Sequence, residues 1–335
     1  MAPTFDSSTK ASELVALYAP LISGKTILVT GISPNSLGEA FVRAVAVGKP
    51  ATFILAGRSP AKFQPLVDDL AASHPDIAVK PLPLDLASLA SVRSAAATVN
   101  SWTDVPQIDI LVNNAGIMAA PYALTEDALE SQFQTNHVGH FLLTNLVMRK
   151  MLAGPGGPRV VNVSSNGHRL GPVRWTDHAF DGGRTYDAWS AYGQSKTANA
   201  LFSVALAERL GGGSKGLAAF SVCPGFVAAT NLAAHGAADF AGFLAGLRRA
   251  DERMGNKAMW LKAEDVRPKG MDEGVATHVF AAFDQGLKER NGEFLSDCRV
   301  ADPYEEEVYP WARGKVEADM LWRLSEKLIG QEFSY

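Results

Sequence analysis

Short apolar runs, most of them rich in β-branched residues, recur at 25–30, 51–55, 78–84, 108–113, 159–164 and 217–223, with a last, shorter one at 292–295. Turn signals separate them from stretches in which apolar residues return every three to four positions. A run that is apolar throughout reads as a strand buried on both faces, and the intervening spacing reads as helix. Helices are therefore expected from Gly38 to Val47, from about Ala61 to Ser73, beyond Ser88, from Leu129 to Leu152, around Tyr192, from Asp239 to Arg253, from Asp272 to Phe283 and from Lys315 to Ile329. An amphipathic piece, Ser12 to Tyr18, precedes Pro20 and Gly24 and predicts a leader helix followed by a turn. Pro81 and Pro83 predict irregularity in the third strand. Strands alternating with helices in this way specify an α/β fold: a doubly wound parallel sheet of about seven strands with helices on both faces and right-handed connections. Ligands bind such sheets beyond the carboxyl ends of the strands.

Composition narrows the class. The 335 residues are long for an average domain but within reach of a single α/β unit, and no repeat or linker divides them. The 31 basic and 35 acidic residues give a net charge of -4 without a long block of either sign, which points away from nucleic acid and anionic membrane as partners. Cys223 and Cys298 are too few for a disulfide framework and show no metal-ligand spacing, so no metal is expected. Asp6, Lys10 and Glu13 interrupt any signal-peptide stretch, and no apolar run of the roughly 18 residues needed to span a membrane occurs. A soluble, cytoplasmic protein is the expectation.

The candidate chemistry begins with Tyr192 and Lys196, four residues apart and thus on one face of a helix. A cation beside a phenol favours the phenolate, making the pair a candidate acid/base unit. Alone the spacing is weak, since solvated helix neighbours share it. Its context is more specific. Thr30-Gly31 and Gly38 make a strand, a tight polar loop and a helix, an arrangement that offers backbone N–H groups to a phosphate. Asn113-Asn114-Ala115-Gly116, then Asn136, then Ser164-Ser165 at a strand end, then Tyr192 with Lys196, then Pro224-Gly225 follow in order. In these residues, and over roughly 23–300, the chain resembles the short-chain dehydrogenase/reductase family. The stretches 162–168 and 291–298 are similar to its retinol-dehydrogenase-like and fungal or bacterial carbonyl reductase branch.

The resemblance implies a single Rossmann-like domain over 24–300, with a leader helix at 1–23, a substrate lid inserted at 226–270 and a helical extension at 301–335. It implies that Tyr192 exchanges a proton with the substrate oxygen, that Lys196 lowers the tyrosine pKa and binds the nicotinamide ribose, and that Ser165 hydrogen-bonds the same oxygen. Asn136 would hold a water linking Lys196 to solvent, although asparagine is also an ordinary helix residue. Ser164 competes with Ser165, because alternate strand residues face opposite ways. Gly31, Ser33, Ser36, Leu37 and Gly38 would face the pyrophosphate, in a loop one residue longer than usual. Ser36 stands where a glycine is expected, a form that resembles enoyl reductases of the superfamily. Gly57 takes the place of an NAD-selecting acid, and Arg58 with Ser59 follows. A cation there suits a 2′-phosphate, so NADP(H) is the expected cofactor, against the plain reading of a surface arginine. Asp85 and Leu86 would border the adenine, with Asn113, Ala115 and Gly116 passing close to the cofactor. Asn113 reads equally well as a tie between strands. Pro224, Gly225, Val227 and Thr230 would meet the nicotinamide end, Thr230 through a one-residue bulge because Ala229 occupies the family's threonine position.

Phe226, Phe240, Phe243, Met259 and Trp260 in the lid region, with Trp175, Tyr186 and Trp189 before the Tyr192 helix, read either as an apolar pocket wall or as plain core. The function implied is an NADPH-dependent reductase of lipophilic carbonyls, reversible to alcohol oxidation. Alternatives are a tailoring reductase acting on a polyketide-like or enone intermediate, and a catalytically silent NADP(H) sensor or scaffold. Family habit implies a homodimer or homotetramer, unless the C-terminal extension covers the interface.

Overall fold

Thr26–Thr30 (β1) is buried at every position, with Ile27 and Val29 packed on one side of the sheet and Leu28 on the other. The same two-sided burial holds for Thr52–Gly57 (β2), Ile110–Asn113 (β4) and Arg159–Val163 (β5), so their unbroken apolar runs are the signature of central parallel strands. A computed structural model describes residues 5–212, 216–232, 239–256, 267–305 and 308–335. Met259 and Trp260, expected in the lid, lie outside the described residues. Ala78–Pro83 (β3), Ala218–Cys223 (β6), Phe294–Ser296 (β7) and Arg299–Val300 (β8) complete a sheet of 8 strands in the order β3-β2-β1-β4-β5-β6-β7-β8. All neighbours pair in parallel except β7 and β8. Pro81 and Pro83 fall on β3, an edge strand that tolerates missing donors. The sheet is mixed, with one strand more than the sequence pattern predicts. β8 is two residues long, and Asp297 and Cys298 form its tight turn with φ of 50° and 56°, without the glycine that normally signals such a hairpin.

Eleven helices are described: Ala11–Ile22 (α1), Leu37–Ala46 (α2), Pro60–Ser73 (α3), Leu89–Ser101 (α4), Ser131–Phe133 (α5), Gly139–Met151 (α6), Ala188–Leu210 (α7), Phe240–Arg253 (α8), Met271–Gly274 (α9), Ala276–Phe283 (α10) and Lys315–Ile329 (α11). α1 runs on through Pro20, which sits in its last turn and removes a single backbone donor. Its Leu14, Val15, Tyr18 and Ile22 join the core cluster shared with α2, α3 and α10. On the opposite face, Leu321 and Trp322 of α11 are buried with residues of α4, α6 and α7. The predicted helix 129–152 is interrupted by a π turn, Gln134–Val138, between α5 and α6. Such turns displace the backbone of a helix and are frequent at functional positions. Among the described residues no helix is long and apolar enough to cross a membrane. Strand order reverses between β1 and β4, so the crevice expected of this architecture opens beyond Thr30 and Asn113.

Candidate active site

The loops that leave β1 and β4 are packed against each other. Gly31 has φ of 78°, and a Cβ there would lie 2.6 Å from the Ala115 Cα. A Cβ on Gly38 would lie 2.8 Å from Asn114 Nδ2, so both glycines are needed for contact rather than for flexibility alone. Thr30 holds the two loops together, its Oγ1 accepting the Asn114 and Ala115 N–H groups at 3.0 and 3.1 Å. Ser36 caps α2: its Oγ accepts from Glu39 N at 3.1 Å and from Ser33 N at 3.2 Å. The side chain expected to face a phosphate therefore first closes its own loop, leaving its hydroxyl proton to offer. Leu37 turns its side chain onto the core, and only its backbone is suited to a phosphate.

Gly57 ends β2, and a Cβ there would lie 2.8 Å from the Ile32 carbonyl oxygen, so an acid cannot be placed at this position without moving the loop. Arg58 beyond it is exposed and forms no ion pair with a described residue. Ser59 sits at the N-terminus of α3 and accepts the Lys62 N–H on its carbonyl at 3.0 Å. Asp85 follows β3 and caps its own turn, accepting from Ala87 N at 3.0 Å. Leu86 packs its side chain into the core, 4% exposed. Asn113 takes the strand-tying part that its sequence position also allowed. Its Nδ2 donates to Thr144 Oγ1 at 3.0 Å and to Asn162 Oδ1 at 2.8 Å, tying β4 to α6 and β5.

Gly116 brings the backbone between two of the expected site residues, since a Cβ there would lie 3.2 Å from Asn136 Oδ1 and 3.4 Å from Lys196 Nζ. Asn136 lies in the π turn and clamps the next residue, accepting Ile117 N on Oδ1 at 2.8 Å and donating from Nδ2 to Ile117 O at 2.9 Å. Its second amide hydrogen goes to Ser195 Oγ at 2.9 Å. Both amide hydrogens are thus committed to protein, and the side chain clamps Ile117 and ties it to Ser195 of α7. Lys196 is buried and donates from Nζ to Val163 O at 2.9 Å, with the Tyr192 ring centroid 5.6 Å away. Burial pulls its pKa down to about 8. Burial likewise pushes the Tyr192 phenol up, while a hydrogen bond from Ser165 opposes that rise. In this geometry desolvation sets the direction of the shift.

The two serines divide as strand alternation requires. Ser164 turns into α7 and donates to Lys196 O at 2.7 Å, whereas Ser165 faces Tyr192 and accepts from Gly167 N at 3.0 Å. Gly167 lies against the tyrosine: a Cβ there would be 2.5 Å from Tyr192 Cε1 and 2.9 Å from Cδ1. Gly167→Ala is expected to displace the ring and reduce kcat by about 10²-fold, because small misplacements of reacting groups are costly. Steady-state rates alongside a melting curve check this, and unchanged turnover would show that the ring tolerates the shift.

Sequence and structure comparisons bear on the family and the fold. The family model described as short chain dehydrogenase matches residues 25–239. The oxidoreductase fscI of Fusarium equiseti is 35% identical over 247 residues, 66% of this chain and 94% of that protein. Retinol dehydrogenase 12 of Bos taurus is 33% identical over 307 residues, 92% of this chain and 87% of its own. The chain belongs to the short-chain dehydrogenase family. A crystal structure of an uncharacterized protein from Mycobacterium paratuberculosis has the same fold, with a TM-score of 0.68, 31% identity and coverage of 94% of this chain and 96% of that one.

In this short-chain dehydrogenase the apolar residues clustered with Tyr192 include Trp189, Phe243, Leu247, Ala250, Leu170 and Met118. Trp189 packs edge-on to Tyr192 at 6.1 Å, and its Nε1–H donates to Phe243 O at 3.0 Å. These two pocket candidates are brought together; others are not. Trp175 packs against the core cluster under α11, on the other side of α7. Tyr186 uses its hydroxyl to donate to Ala120 O at 2.7 Å and to accept from Gln132 Nε2 at 2.8 Å, which makes it a loop anchor. Phe226 and Phe240 are 54% and 59% exposed and stand apart from that cluster. After the buried Pro224, Gly225 has φ of 81° and rests on Lys269, and Val227 packs on Gly274. Thr230 donates to Val227 O at 3.2 Å while Ala229 is exposed, so the loop's hydroxyl is supplied one residue late. Asn231 Nδ2 reaches Pro34 O at 3.3 Å and links this loop to the one after β1.

His140 was not expected in this neighbourhood. Its Nε2 lies 2.8 Å from Thr30 Oγ1, and its Nδ1 lies 2.9 Å from the Asn136 carbonyl. Because Thr30 Oγ1 already accepts two N–H groups, its proton goes to Nε2, which leaves Nδ1–H for Asn136. Burial pulls the ring's pKa down to about 4. The signal in the sequence was a polar residue one turn beyond Asn136 inside an apolar helix.

Proposed function

We propose that this oxidoreductase transfers hydride between NADP(H) and a lipophilic carbonyl and its alcohol. The reading rests on Ser165, Tyr192 and Lys196 meeting beyond β5 beside an apolar cluster, with Gly116 and Asn136 at the lysine. The residues fit a nicotinamide dinucleotide. Side-chain-free Gly31 follows β1 and Gly38 lies in the first turn of α2, Gly57 has no room for an acid, and Arg58, with no ion-pair partner among the described residues, is a cation at the place of a 2′-phosphate. When bound, the nicotinamide supplies or accepts the hydride.

Tyr192 then donates its proton to the carbonyl oxygen as negative charge develops there, and takes it back in the oxidative direction. Ser165 hydrogen-bonds the same oxygen in a dry setting, where such a contact is worth more than in water. Lys196, still mostly protonated at neutral pH, stabilises the phenolate left by transfer. Trp189 and Phe243 exclude water from one side and favour an apolar substrate, in keeping with a relative named retinol dehydrogenase. Cys223 and Cys298 are buried free thiols, which suits a reducing compartment such as the cytoplasm.

Turnover of NADPH with aromatic, steroidal, retinoid and aliphatic carbonyls, followed at the nicotinamide absorbance, tests the proposal. Oxidation with bulky apolar substrates is expected, and NADPH binding without turnover across the whole panel would overturn it. Arg58→Ala is expected to raise KM for NADPH by about 10- to 100-fold, the value of a charge-assisted contact, while leaving NADH nearly unchanged. An equal loss for both cofactors would remove Arg58 from the phosphate.

A further inference from the structure

We propose that His168 is a positioning residue through which the C-terminal segment 308–312 and the end of the lid helix α8 hold Ser165 in its productive attitude. The inference rests on the reading that Ser165 hydrogen-bonds the substrate oxygen.

His168 is fully buried in the 3₁₀ turn Asn166–Leu170, for which Ser165 is the N-terminal cap. Its ring joins two distant parts of the chain. Nε2 accepts the backbone N–H of Tyr309 at 3.1 Å, so the ring proton resides on Nδ1 and is donated to the Ser165 carbonyl at 2.8 Å. That carbonyl also accepts the His168 backbone N–H at 3.1 Å, so both its acceptor positions are used by one residue. An imidazolium would meet the Tyr309 N–H with a second donor, and burial keeps the ring neutral by pulling its pKa down to about 3. Phe294 and Tyr309 pack on the ring with centroids at 4.9 and 5.9 Å.

The anchor is itself anchored. The His168 carbonyl accepts from Trp311 Nε1 at 3.0 Å, and the Thr197 hydroxyl, whose single proton is shared with the closer Gly171 O at 2.8 Å, lies 3.1 Å from it, beside Lys196. The Tyr309 hydroxyl donates to Asn256 Oδ1 at 2.8 Å, and Asn256 Nδ2 donates to Asp251 Oδ1 at 2.7 Å and Arg169 O at 3.1 Å. Asp251 belongs to α8, whose Leu247 and Ala250 lie in the Tyr192 cluster. One hydrogen-bonded unit thus runs from the lid through 308–312 to the peptide that follows Ser165. Holding that peptide fixes the direction of the serine Cα–Cβ bond, and with it the aim of Oγ. The segment 308–312 lies outside the residues matched by the family model.

Two near-isosteric variants separate the ring's two bonds. In His168→Asn the amide nitrogen replaces Nδ1 and keeps the donor to Ser165, whereas in His168→Gln the amide replaces Nε2 and keeps only the partner at Tyr309. With NADPH and the best carbonyl of the panel, His168→Gln is expected to lower kcat about 10- to 100-fold at unchanged NADPH affinity, and His168→Asn about threefold at most. In a Ser165→Ala background, His168→Gln is expected to cost nothing further, because its effect passes through the serine. Equal losses for the two variants, or the same loss with and without Ser165, would overturn the proposal. If His168→Gln does not fold, Tyr309→Pro compared with Tyr309→Phe serves instead. Tyr309 has φ of -82°, which proline adopts, and the proline variant lacks the N–H donor. Loss of kcat in the proline variant alone supports the relay, and equal rates reject it. Tyr192→Phe is run in parallel: if it stays active, the reading of the site fails, and if it is inactive while His168→Gln matches the wild type, only the inference fails.

Discussion

Replacing Tyr192 by phenylalanine is expected to lower kcat by about 10³-fold while leaving NADPH affinity within about threefold, since a positioned general acid typically contributes on that scale. The substitution removes one oxygen and keeps the ring that Gly167 and Trp189 pack against. The site geometry should therefore survive, with Ser165 losing its partner. A tyrosine that burial holds above its ordinary pKa stays protonated at neutral pH and so has a proton to give in carbonyl reduction. Steady-state kinetics with fluorescence titration of NADPH separate the two quantities. Retention of more than about a tenth of kcat would mean that the proton comes from elsewhere.

Lys196→Met is expected to reduce kcat by about 10²- to 10³-fold and at the same time make the protein more stable at neutral pH. The folded pKa of Lys196 is about 8, below its ordinary value of 10.5. The unfolded chain therefore binds the proton more tightly, and burial of the ammonium costs stability, roughly 3 kcal/mol at neutral pH. That cost is fully present below pH 8 and falls away as pH rises towards 10.5. Methionine occupies a similar volume without the charge, and Val163 O keeps a donor because Asn199 Nδ2 also reaches it, at 3.0 Å. The variant should melt roughly 5 °C higher at pH 7, and its advantage should shrink between pH 8 and 9. A lower melting temperature at pH 7 would show that the bond to Val163 outweighs desolvation.

Both variants concern residues that local sequence pattern makes legible. Apolar runs placed the central strands, because a strand buried on both faces admits only such residues. Gly31 and Gly38 were legible through the demand for close approach, and the period of a strand showed that Ser164 and Ser165 face opposite ways, the resemblance favouring the second. Tyr192 and Lys196 shared a face through the period of a helix, which the structure keeps, while burial and the Val163 carbonyl decide their acidity.

Other residues acquired their parts only in the fold. Asn113 became a tie between strands, Ser36 a cap, Tyr186 a loop anchor and Trp175 a core residue, although each carries a side chain that suits the neighbouring ligand equally well. The two-residue β8 and the π turn at Asn136 left no periodic trace. His168 and Tyr309 are 141 positions apart and meet only because the chain returns past β7 to the end of β5. Sequence by itself determined which segments are strands or helices and where the backbone can approach closely, since those depend on local period and side-chain size. Tertiary structure decided the partner of each buried polar group, because a hydrogen bond removed from water must be satisfied by whichever distant element the sheet order brings beside it.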